Sequence, residues 1–382
     1  MPQKHPDGIV QKIAYLTGEG MTQQEIGDEL GIPQGTVSKL LDKAQTVGWL
    51  KKTIHFVPKD MSAEEVQMIK AEAFPYVKKL KKNLSGLVVG PEAVMIRKVH
   101  VFYSGPTITS QAQYDKRLGR FGRAAAACVA DLLLRGNVVG VTWGKTIANV
   151  MQGVSELFPQ PPLKREHPTR FIPVCGILPD APEIEFSSSM LAIQLHKIIN
   201  GSEPSNIHSL GGVPARIPPP QLLSKKEATG LQAFIQKIVR GYREIFLGSD
   251  ALINKMDCLL TGVGTAYQES DDPWQDEMTR LEGIAKEKLD ELTVGDIGGF
   301  FLSKHNPPTP EEKVIQDFNE RWTGIKVDHV HHCAWEAAKR DRPGVVIVGI
   351  GKRKAEVVRE CIRRGLVNEL VIDHDLAKEL SA

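Results

Sequence analysis

Four short glycine turns hold the residues of this sequence whose types and spacing are best suited to binding an anion. They occupy residues 140–146 (GVTWGKT), 261–265 (TGVGT), 295–298 (GDIG) and 349–354 (GIGKRK). Glycine lets the backbone come close to a ligand, and a helix that starts after such a turn points free N–H groups at it. The chemistry that these turns predict is the binding of a phosphate or a carboxylate.

The first turn carries the largest set of polar groups. Gly144 allows close approach of a ligand, and Thr142 adds a hydroxyl. Thr146, near which the next helix is expected to begin, adds a second hydroxyl, and Lys145 adds a positive charge. The turn is not a P-loop, because Val139 stands where GxxxxGK[ST] needs its first glycine. The alternative interpretation is a purely structural connection between a strand and a helix.

The other three turns supply fewer groups. Gly262 and Gly264 follow a strand in the second turn, and Asp296 stands between glycines in the third. Asp296 suits a hydrogen bond from a sugar hydroxyl, or else it caps the next segment. In the fourth turn Lys354 follows Gly351, begins a helix and can neutralise an anion. Four such turns predict one shared ligand cleft. Its predicted lining residues are Thr142, Gly144, Lys145, Thr146, Gly262, Gly264, Asp296, Gly351 and Lys354.

Signs of catalysis are weak in the sequence. We find no Ser-His-Asp or Cys-His arrangement and no paired carboxylates, so neither a catalytic residue nor a cofactor is predicted. One group has the residue types of a metal site: His329, His331, His332 and Cys333. Because His331 and His332 are adjacent, they point apart in a helix or a strand. We favour a polar strand or loop over a metal site here, and no metal is predicted.

The glycine turns require elements that bring them together. Apolar segments with the character of strands alternate with helical segments, from a helix at 117–135 to a last strand at 369–372. This alternation predicts a doubly wound, mostly parallel sheet with helices on both faces. Ligands bind beyond the carboxyl ends of such strands, so we expect all four turns at that edge. Strands are also expected at 86–90 and 99–102, and a helix at 63–82.

Residues 21–49 (MTQQEIGDELGIPQGTVSKLLDKAQTVGW) have the pattern of a helix-turn-helix. Thr22 and Glu25 are spaced as a capping box at the start of the first helix. Gly31 stands where the chain leaves that helix, and Pro33 suits the first turn of the second. The second helix of such a motif enters the DNA major groove.

The outward face of that second helix suits DNA. Short hydroxyl and amide side chains at its start can approach base edges, and Lys39 and Lys43 lie where phosphates would run. The alternative is an ordinary α-hairpin. A helix at 8–17 would complete a three-helix domain, and residues 49–56 are either a DNA-contacting wing or an exit linker. The predicted DNA-contacting residues are Thr22, Gln34, Gly35, Thr36, Ser38, Lys39 and Lys43.

Length and composition limit the kind of protein. A chain of 382 residues has room for two or three domains, and a net charge of +2 means that any DNA contact must rest on a local patch. No run of 18 apolar residues is present, so no membrane partner is predicted. Five scattered cysteines without paired spacing indicate a reduced, cytoplasmic protein. We expect a DNA-binding domain at 1–58 and an effector domain at 59–382.

With these motifs in place, the chain resembles the SorC/DeoR-type sugar-responsive transcriptional regulators of bacteria over nearly its whole length. The family's helix-turn-helix is similar to MTQQEIGDELGIPQGTVSKLL at 21–41. Its sugar-binding domain is similar to VGVTWGKTIANVM, TGVGT, GDIGGFF and VVIVGIGKRKAEVVRECIRRGLVNELVIDHDLAKEL. The last segment is the most specific, because its glycines, Lys354, its helix and the strand that ends at Asp373 keep the family's order.

The resemblance implies a small all-α (winged) helix-turn-helix domain and an α/β effector domain like that of the phosphosugar isomerases and CoA transferases, without enzyme activity. It implies that Gly144, Lys145 and Thr146 hold the phosphate of a sugar phosphate, or its equivalent. Two departures from the family pattern are Pro33, where a serine is usual, and Ile350, where a glycine is usual. They concern the cap of the recognition helix and the identity of the ligand more than the fold.

The function that we predict is a ligand-responsive bacterial transcriptional regulator. Its partners would be double-stranded operator DNA, a small carbohydrate or sugar phosphate, and further copies of the chain in a dimer or tetramer. The alternative is a sugar-phosphate-processing, isomerase-like enzyme fused to a DNA-binding module.

Overall fold

The computed structural model describes most of the chain as a group of three helices followed by an α/β domain. The described residues are 7–50, 76–87, 94–106, 111–158, 168–177, 184–201, 208–265 and 281–382, with the single positions 62, 69 and 74. The helices are α1 Asp7–Gly18, α2 Gln23–Leu30, α3 Gln34–Thr46, α4 Tyr76–Ser85, α5 Gln111–Arg135, α6 Lys145–Leu157, α7 Ser188–Asn200, α8 Lys225–Ile238, α9 Arg240–Phe246, α10 Lys286–Leu292, α11 Lys313–Arg321, α12 Val327–Arg340, α13 Ala355–Arg363 and α14 His374–Ser381. The strands are β1 Lys98–Phe102, β2 Val138–Val141, β3 Arg170–Pro173, β4 Cys258–Thr261, β5 Val263–Gly264, β6 Thr293–Ile297, β7 Phe300–Ser303, β8 Gly344–Gly349 and β9 Glu369–Asp373.

Helices α1, α2 and α3 form the predicted three-helix domain. The capping box is present, since Thr22 accepts from the backbone of Glu25 while the Glu25 carboxylate accepts from the backbone of Thr22. Gly31 leaves α2 with a φ of 66°, the left-handed conformation that favours glycine. The prediction of a helix-turn-helix at 21–49 is therefore confirmed.

The α/β domain is built on a six-stranded sheet in the order β1-β9-β8-β4-β2-β3. Every neighbouring pair in it is parallel. Because all six strands run the same way, their carboxyl ends lie at one edge. The prediction of a mostly parallel sheet is confirmed.

Both faces of this sheet are covered by helices, which makes the fold doubly wound. Alternate side chains of each strand point to opposite faces, so each face has its own apolar layer. The residues that pack with α5, α6 and α7 are Val139, Val141, Leu260, Val346, Val348 and Val371. The residues that pack with α12, α13 and α14 are Ile172, Leu259, Val345, Ile347, Leu370 and Ile372.

Two glycines bring α5 and α6 into backbone contact. A Cβ added at Gly122 would lie 2.1 Å from the carbonyl oxygen of Asn149, and one at Gly153 would lie 2.4 Å from the carbonyl oxygen of Gly122. Side chains larger than hydrogen would force the helices apart. This contact fixes α6, whose first residue is Lys145 of the first glycine turn.

The third glycine turn corrects an expectation. Residues 295–298 do not follow a strand of the parallel sheet; they lie in and after β6, in a separate antiparallel sheet of order β5-β6-β7. Asp296 pairs in register with Gly264, only three residues beyond the end of β4. The expectation that all four turns follow parallel strands is therefore wrong for this one, because β6 pairs with β5 instead.

Other expectations meet different outcomes. The histidines at 329–332 lie in α12, so the expected polar strand or loop is wrong. The strand at 99–102 is confirmed as β1. Of the strand expected at 86–90, residues 86–87 form a turn and the rest falls outside the described residues. Residues 51–61 also fall outside the described residues. They contain most of the predicted wing and the predicted domain boundary at 58.

The three-helix domain packs directly on the α/β domain. Tyr15 of α1 meets Phe74 edge-on at a centroid distance of 6.4 Å, and Lys378 of α14 lies 3.8 Å from the carboxylate of Glu29 on α2. Within the described ranges, none of the helices combines the length and apolar character that crossing a membrane requires.

Candidate functional site

The first glycine turn places a positive charge at a helix start. Gly144 adopts a φ of 122° and caps α6, which begins at Lys145. The N–H of Gly144 donates to the carbonyl of Phe186 at 3.2 Å, and the ammonium of Lys145 lies 5.9 Å from the centre of the Phe186 ring. Thr146, 7% exposed, follows in the first turn of α6. The predicted anion-binding residues thus share one helix N-terminus.

Two threonines tie the first turn to the second. The hydroxyl oxygens of Thr142 and Thr261 lie 3.3 Å apart, and Thr142 accepts the N–H of Gly262 at 3.4 Å. Thr142 is 1% exposed and Thr261 is fully buried. These bonds hold the ends of β2 and β4 in a fixed relation, so that Gly262 stands beside the first turn.

The third turn lies beside the first, although it belongs to the antiparallel sheet. Asp296 is 4% exposed and its Oδ1 accepts the N–H of Gly299 at 2.9 Å. A Cβ at Gly264 would lie 2.0 Å from its Oδ2, so only glycine fits opposite this carboxylate. A Cβ at Gly298 would meet the methyl of Thr142 at 2.8 Å. The third turn therefore touches the first.

The fourth turn follows β8, the neighbour of β4. Gly351 has a φ of 90° and donates its N–H to Oδ1 of Asp373 at 3.0 Å. A short 3-10 helix, Lys352–Lys354, leads into α13. The side-chain Cδ of Lys354 would lie 3.7 Å from a Cβ at Gly349. Strands β8, β4 and β2 are consecutive in the sheet, so the fourth, second and first turns lie side by side at one edge.

An aromatic pair at this edge was not predicted. Trp143 and Trp322 meet at 74° with ring centroids 5.4 Å apart, and a Cβ at Gly299 would collide with Trp322 at 2.5 Å. Trp143 stands inside the motif GVTWGKT, a signal that was available. Trp322 comes from the end of α11, and nothing local to it indicated this contact.

A buried thiol lies beside the third glycine turn. Cys175 donates to the carbonyl of Gly298 at 3.3 Å. Burial raises the pKa of the Cys175 thiol, so the group stays neutral and is a poor nucleophile.

The arrangement suits binding of a polar ligand. It offers backbone N–H groups, threonine hydroxyls, a buried carboxylate and lysines, which match the hydroxyls and anionic group of a sugar phosphate. Among the described residues, no group of three or more His, Cys, Asp or Glu side chains is placed to hold a metal. In α12 the ring nitrogen of His329 accepts the N–H of Lys326 at 3.1 Å, and Cys333 is buried. The assignment of individual lining residues stays a prediction.

The predicted DNA-contacting residues fall into two places. Those on α3 lie on its outer side, where Lys39 and Lys43 are exposed while Val37 and Leu40 are buried. Thr22 instead caps α2. The outer residues of α3 are Gln34, Gly35, Thr36, Ser38, Lys39 and Lys43. Their contact with DNA also stays a prediction.

Comparison with known proteins agrees with both halves of this description. Residues 11–46 match the family described as "Sigma-70, region 4", and residues 96–194 match the family described as "Putative sugar-binding domain". The first match contains α2 and α3, and the second contains the first glycine turn.

Proteins similar to most or all of the chain are described as regulators. The chain is 22% identical over 376 residues to the transcriptional regulator LsrR of Enterobacter sp. (strain 638), which covers 98% of this chain and 93% of the relative. The full-length sorbitol operon regulator SorC from Klebsiella pneumoniae superposes with a TM-score of 0.50 at 18% identity, covering 99% of this chain and 100% of the other. A DeoR family transcriptional regulator from Listeria monocytogenes gives a TM-score of 0.51 at 17% identity, covering 79% and 97%. The chain therefore has the fold and the domain order of SorC-type regulators and is homologous to a transcriptional regulator.

Proposed function

We propose that this chain is a bacterial transcriptional regulator that binds operator DNA through α3 and responds to a sugar or sugar phosphate in the glycine-turn cleft. A protein of this kind works in the cytoplasm, where bacterial DNA lies. The proposal includes no enzyme activity, so the purified protein is expected not to turn over sugar phosphates.

The observation that carries the DNA half is the geometry of α2 and α3. A capped α2, a left-handed Gly31 and an α3 with a polar outer side form the two-helix unit that places its second helix in the major groove. Lys39 and Lys43 are one helical turn apart on the exposed side and can follow the phosphates.

Lys39→Ala with Lys43→Ala tests this half. An operator fragment is first selected from a genomic library by the wild-type protein. Each lost phosphate contact is expected to reduce the slope of log affinity against log salt by roughly 0.9. Lys225→Ala with Lys226→Ala, two exposed lysines of α8, is the matched control. An unchanged affinity and slope in the α3 variant would exclude this helix as the DNA reader.

The observation that carries the ligand half is the meeting of glycine turns at one sheet edge, with Lys145 at a helix start. Such an edge is where open α/β sheets bind ligands. A thermal-shift screen with sugars, sugar phosphates and polyols tests it, because a specific ligand at 100 times its Kd stabilises the folded state by about 2.7 kcal/mol.

Lys145→Glu separates the ligand half from the DNA half. The variant is expected to lose the thermal shift given by a phosphorylated hit and to keep wild-type operator affinity in the absence of ligand. Lys225→Glu, an exposed charge reversal on α8, is the control for added negative charge. A wild-type shift in Lys145→Glu would remove this turn from the binding site.

We further propose that the regulator acts as a dimer or a larger assembly. One three-helix module with a few phosphate contacts binds weakly, because affinity depends steeply on the number of contacts. Two copies on half-sites about 34 Å apart would combine their contacts. Sedimentation velocity gives the oligomeric state, and a footprint without two-fold symmetry would contradict paired reading.

A further inference from the structure

A buried carboxylate links the fourth glycine turn to the last helix. Asp373 ends β9 and caps α14, where its Oδ1 accepts the N–H of Leu376 at 3.0 Å. The same oxygen accepts the N–H of Gly351 at 3.0 Å. One group therefore fixes both a turn of the candidate cleft and the first turn of α14.

The second oxygen of Asp373 extends this network away from the cleft. Oδ2 accepts the hydroxyl of Ser104 at 2.8 Å and an N–H of Arg117, which also donates to Ser104 at 2.7 Å. Asp375 lies 2.9 Å from the same guanidinium. Asp373 and Ser104 have no exposed surface, and Arg117 is 4% exposed. Breaking one link of a buried, charged network leaves its other members without partners, so these groups hold one geometry.

Tyr103, the neighbour of Ser104 in the chain, makes the contact with the DNA-binding helices. Its hydroxyl interacts with the carboxylate of Glu25 of α2, and its ring packs on His374 with centroids 4.7 Å apart. Burial and the neighbouring Glu25 carboxylate raise the pKa of Tyr103, so its phenol stays protonated. Glu25 also accepts the N–H and the hydroxyl of Thr22, at 2.7 and 2.9 Å, in the capping box.

A second contact runs beside this one. Lys378, in the body of α14, lies 3.8 Å from the carboxylate of Glu29 on α2 and 5.7 Å from the ring centre of Tyr76 on α4. Helix α14 thus meets the cleft turn at its first residues and α2 along its side. Helix α14 therefore lies between the fourth glycine turn and α2.

We propose that the chain of contacts from Gly351 through Asp373 and Ser104 to the adjacent Tyr103, and from there to Glu25, couples the effector cleft to the position of α2. A ligand in the cleft that moves the Gly351 turn changes the hydrogen bonds of Asp373. Through them it changes the position of α2 on the α/β domain. This role rests on the proposed function, because it needs a ligand and an operator. The test below probes the coupling itself and needs neither of them.

Hydrogen exchange of the full chain, followed by mass spectrometry, tests the coupling in both directions. Tyr103→Phe removes only the hydroxyl at the α2 end, and Ser104→Ala removes only the hydroxyl near Asp373. Because energetic coupling is reciprocal, each change must also be felt at the far end. We expect exchange at least about threefold faster at 345–355 in the first variant and at 22–30 in the second.

Gln24→Ala is the matched control, because it removes an exposed hydrogen bond to Asp28 on the same helix. It is expected to leave exchange at 345–355 unchanged. Faster exchange confined to α2 in Tyr103→Phe would overturn the proposal. If Ser104→Ala unfolds the domain, Glu25→Gln takes its place with the same expectation as Tyr103→Phe, and unchanged exchange at 345–355 in both variants decides against the coupling.

The two proposals fail separately. Absence of any thermal shift with sugars, or of operator binding, would contradict the proposed function and leave the exchange result intact. Exchange that stays local would contradict the coupling, whatever the ligand and the DNA prove to be.

Discussion

The outer side of α3 and the glycine-turn cleft are built in opposite ways. On α3 the residues that face outward, such as Lys39 and Lys43, are exposed, and Pro33 begins the helix without a side-chain cap. In the cleft, Thr142 and Asp296 are 1% and 4% exposed; Thr142 accepts the N–H of Gly262 in the second turn, and Asp296 accepts the N–H of Gly299 in its own turn.

This difference separates two ways of making a binding surface. On α3, the residues that would meet DNA are distinct from those that hold the helix in place, which are Val37, Leu40, Leu41 and Ala44. In the cleft, the residues predicted to line the ligand site also close the fold. On α3, substitutions are therefore expected to change DNA binding without changing stability. In the cleft, they are expected to change both ligand binding and stability.

Gly264→Ala is expected to have the largest effect on stability. Its new Cβ would lie 2.0 Å from Oδ2 of Asp296, so this buried carboxylate must move and give up its bond to Gly299. We expect a loss of about 2–3 kcal/mol in the free energy of unfolding, measured by urea denaturation. Gly262→Ala is the matched control, because nothing lies within 4 Å of its Cβ. An equal loss in the control would contradict the packing argument.

Thr142→Val is expected to cost less. Valine keeps the shape of threonine but loses the hydroxyl that accepts the N–H of Gly262 and pairs with Thr261. We expect about 1 kcal/mol of lost stability, together with a changed ligand response in the thermal-shift assay. Ser38→Ala on α3 should stay within about 0.5 kcal/mol and alter operator affinity instead. Equal stability losses in the two variants would abolish the distinction between the regions.

Pro33→Ser is expected to have the smallest effect. A serine could accept an N–H in the first turn of α3, as Thr22 does for α2, and such caps contribute about 1 kcal/mol. Loss of the proline frees the unfolded chain and offsets about 0.4–1 kcal/mol of that gain. The net gain is therefore at most about 0.6 kcal/mol in urea denaturation. A clear loss would show that the rigidity of Pro33 matters more to α3 than a cap.

The parts of the fold that depend on neighbours in sequence were predictable. The capping box of Thr22 and Glu25 spans three residues, and Gly31 marks a backbone conformation that few other residues adopt. The central strands β8, β4 and β2 were visible because, buried on both faces, they are almost continuously apolar. Three glycine turns follow from their ends.

The parts that depend on distant partners were not predictable. Asp296 lies in an antiparallel sheet because β6 pairs with β5, and glycines beside a strand do not reveal which strand is the partner. Arg117 and Asp373 lie far apart in sequence and show no spacing that would join them. His329 was assigned to a strand or loop because histidine has little intrinsic preference for one secondary structure. The helix is instead stabilised by the packing of Val330 and Cys333 against the core.

Strand β1, the first described strand of the α/β domain, pairs with β9, so that Lys98 lies opposite Glu369. Strand β1 can therefore pair only after a segment about 270 residues later has been synthesised. Synthesis of that length takes roughly half a minute on a bacterial ribosome. During that interval α1, α2 and α3 can already have folded from local contacts, but α14, against which α2 rests, does not yet exist. Each newly made three-helix domain is thus produced before α14, and α2 gains its contact with that helix only when synthesis has reached β9 and α14.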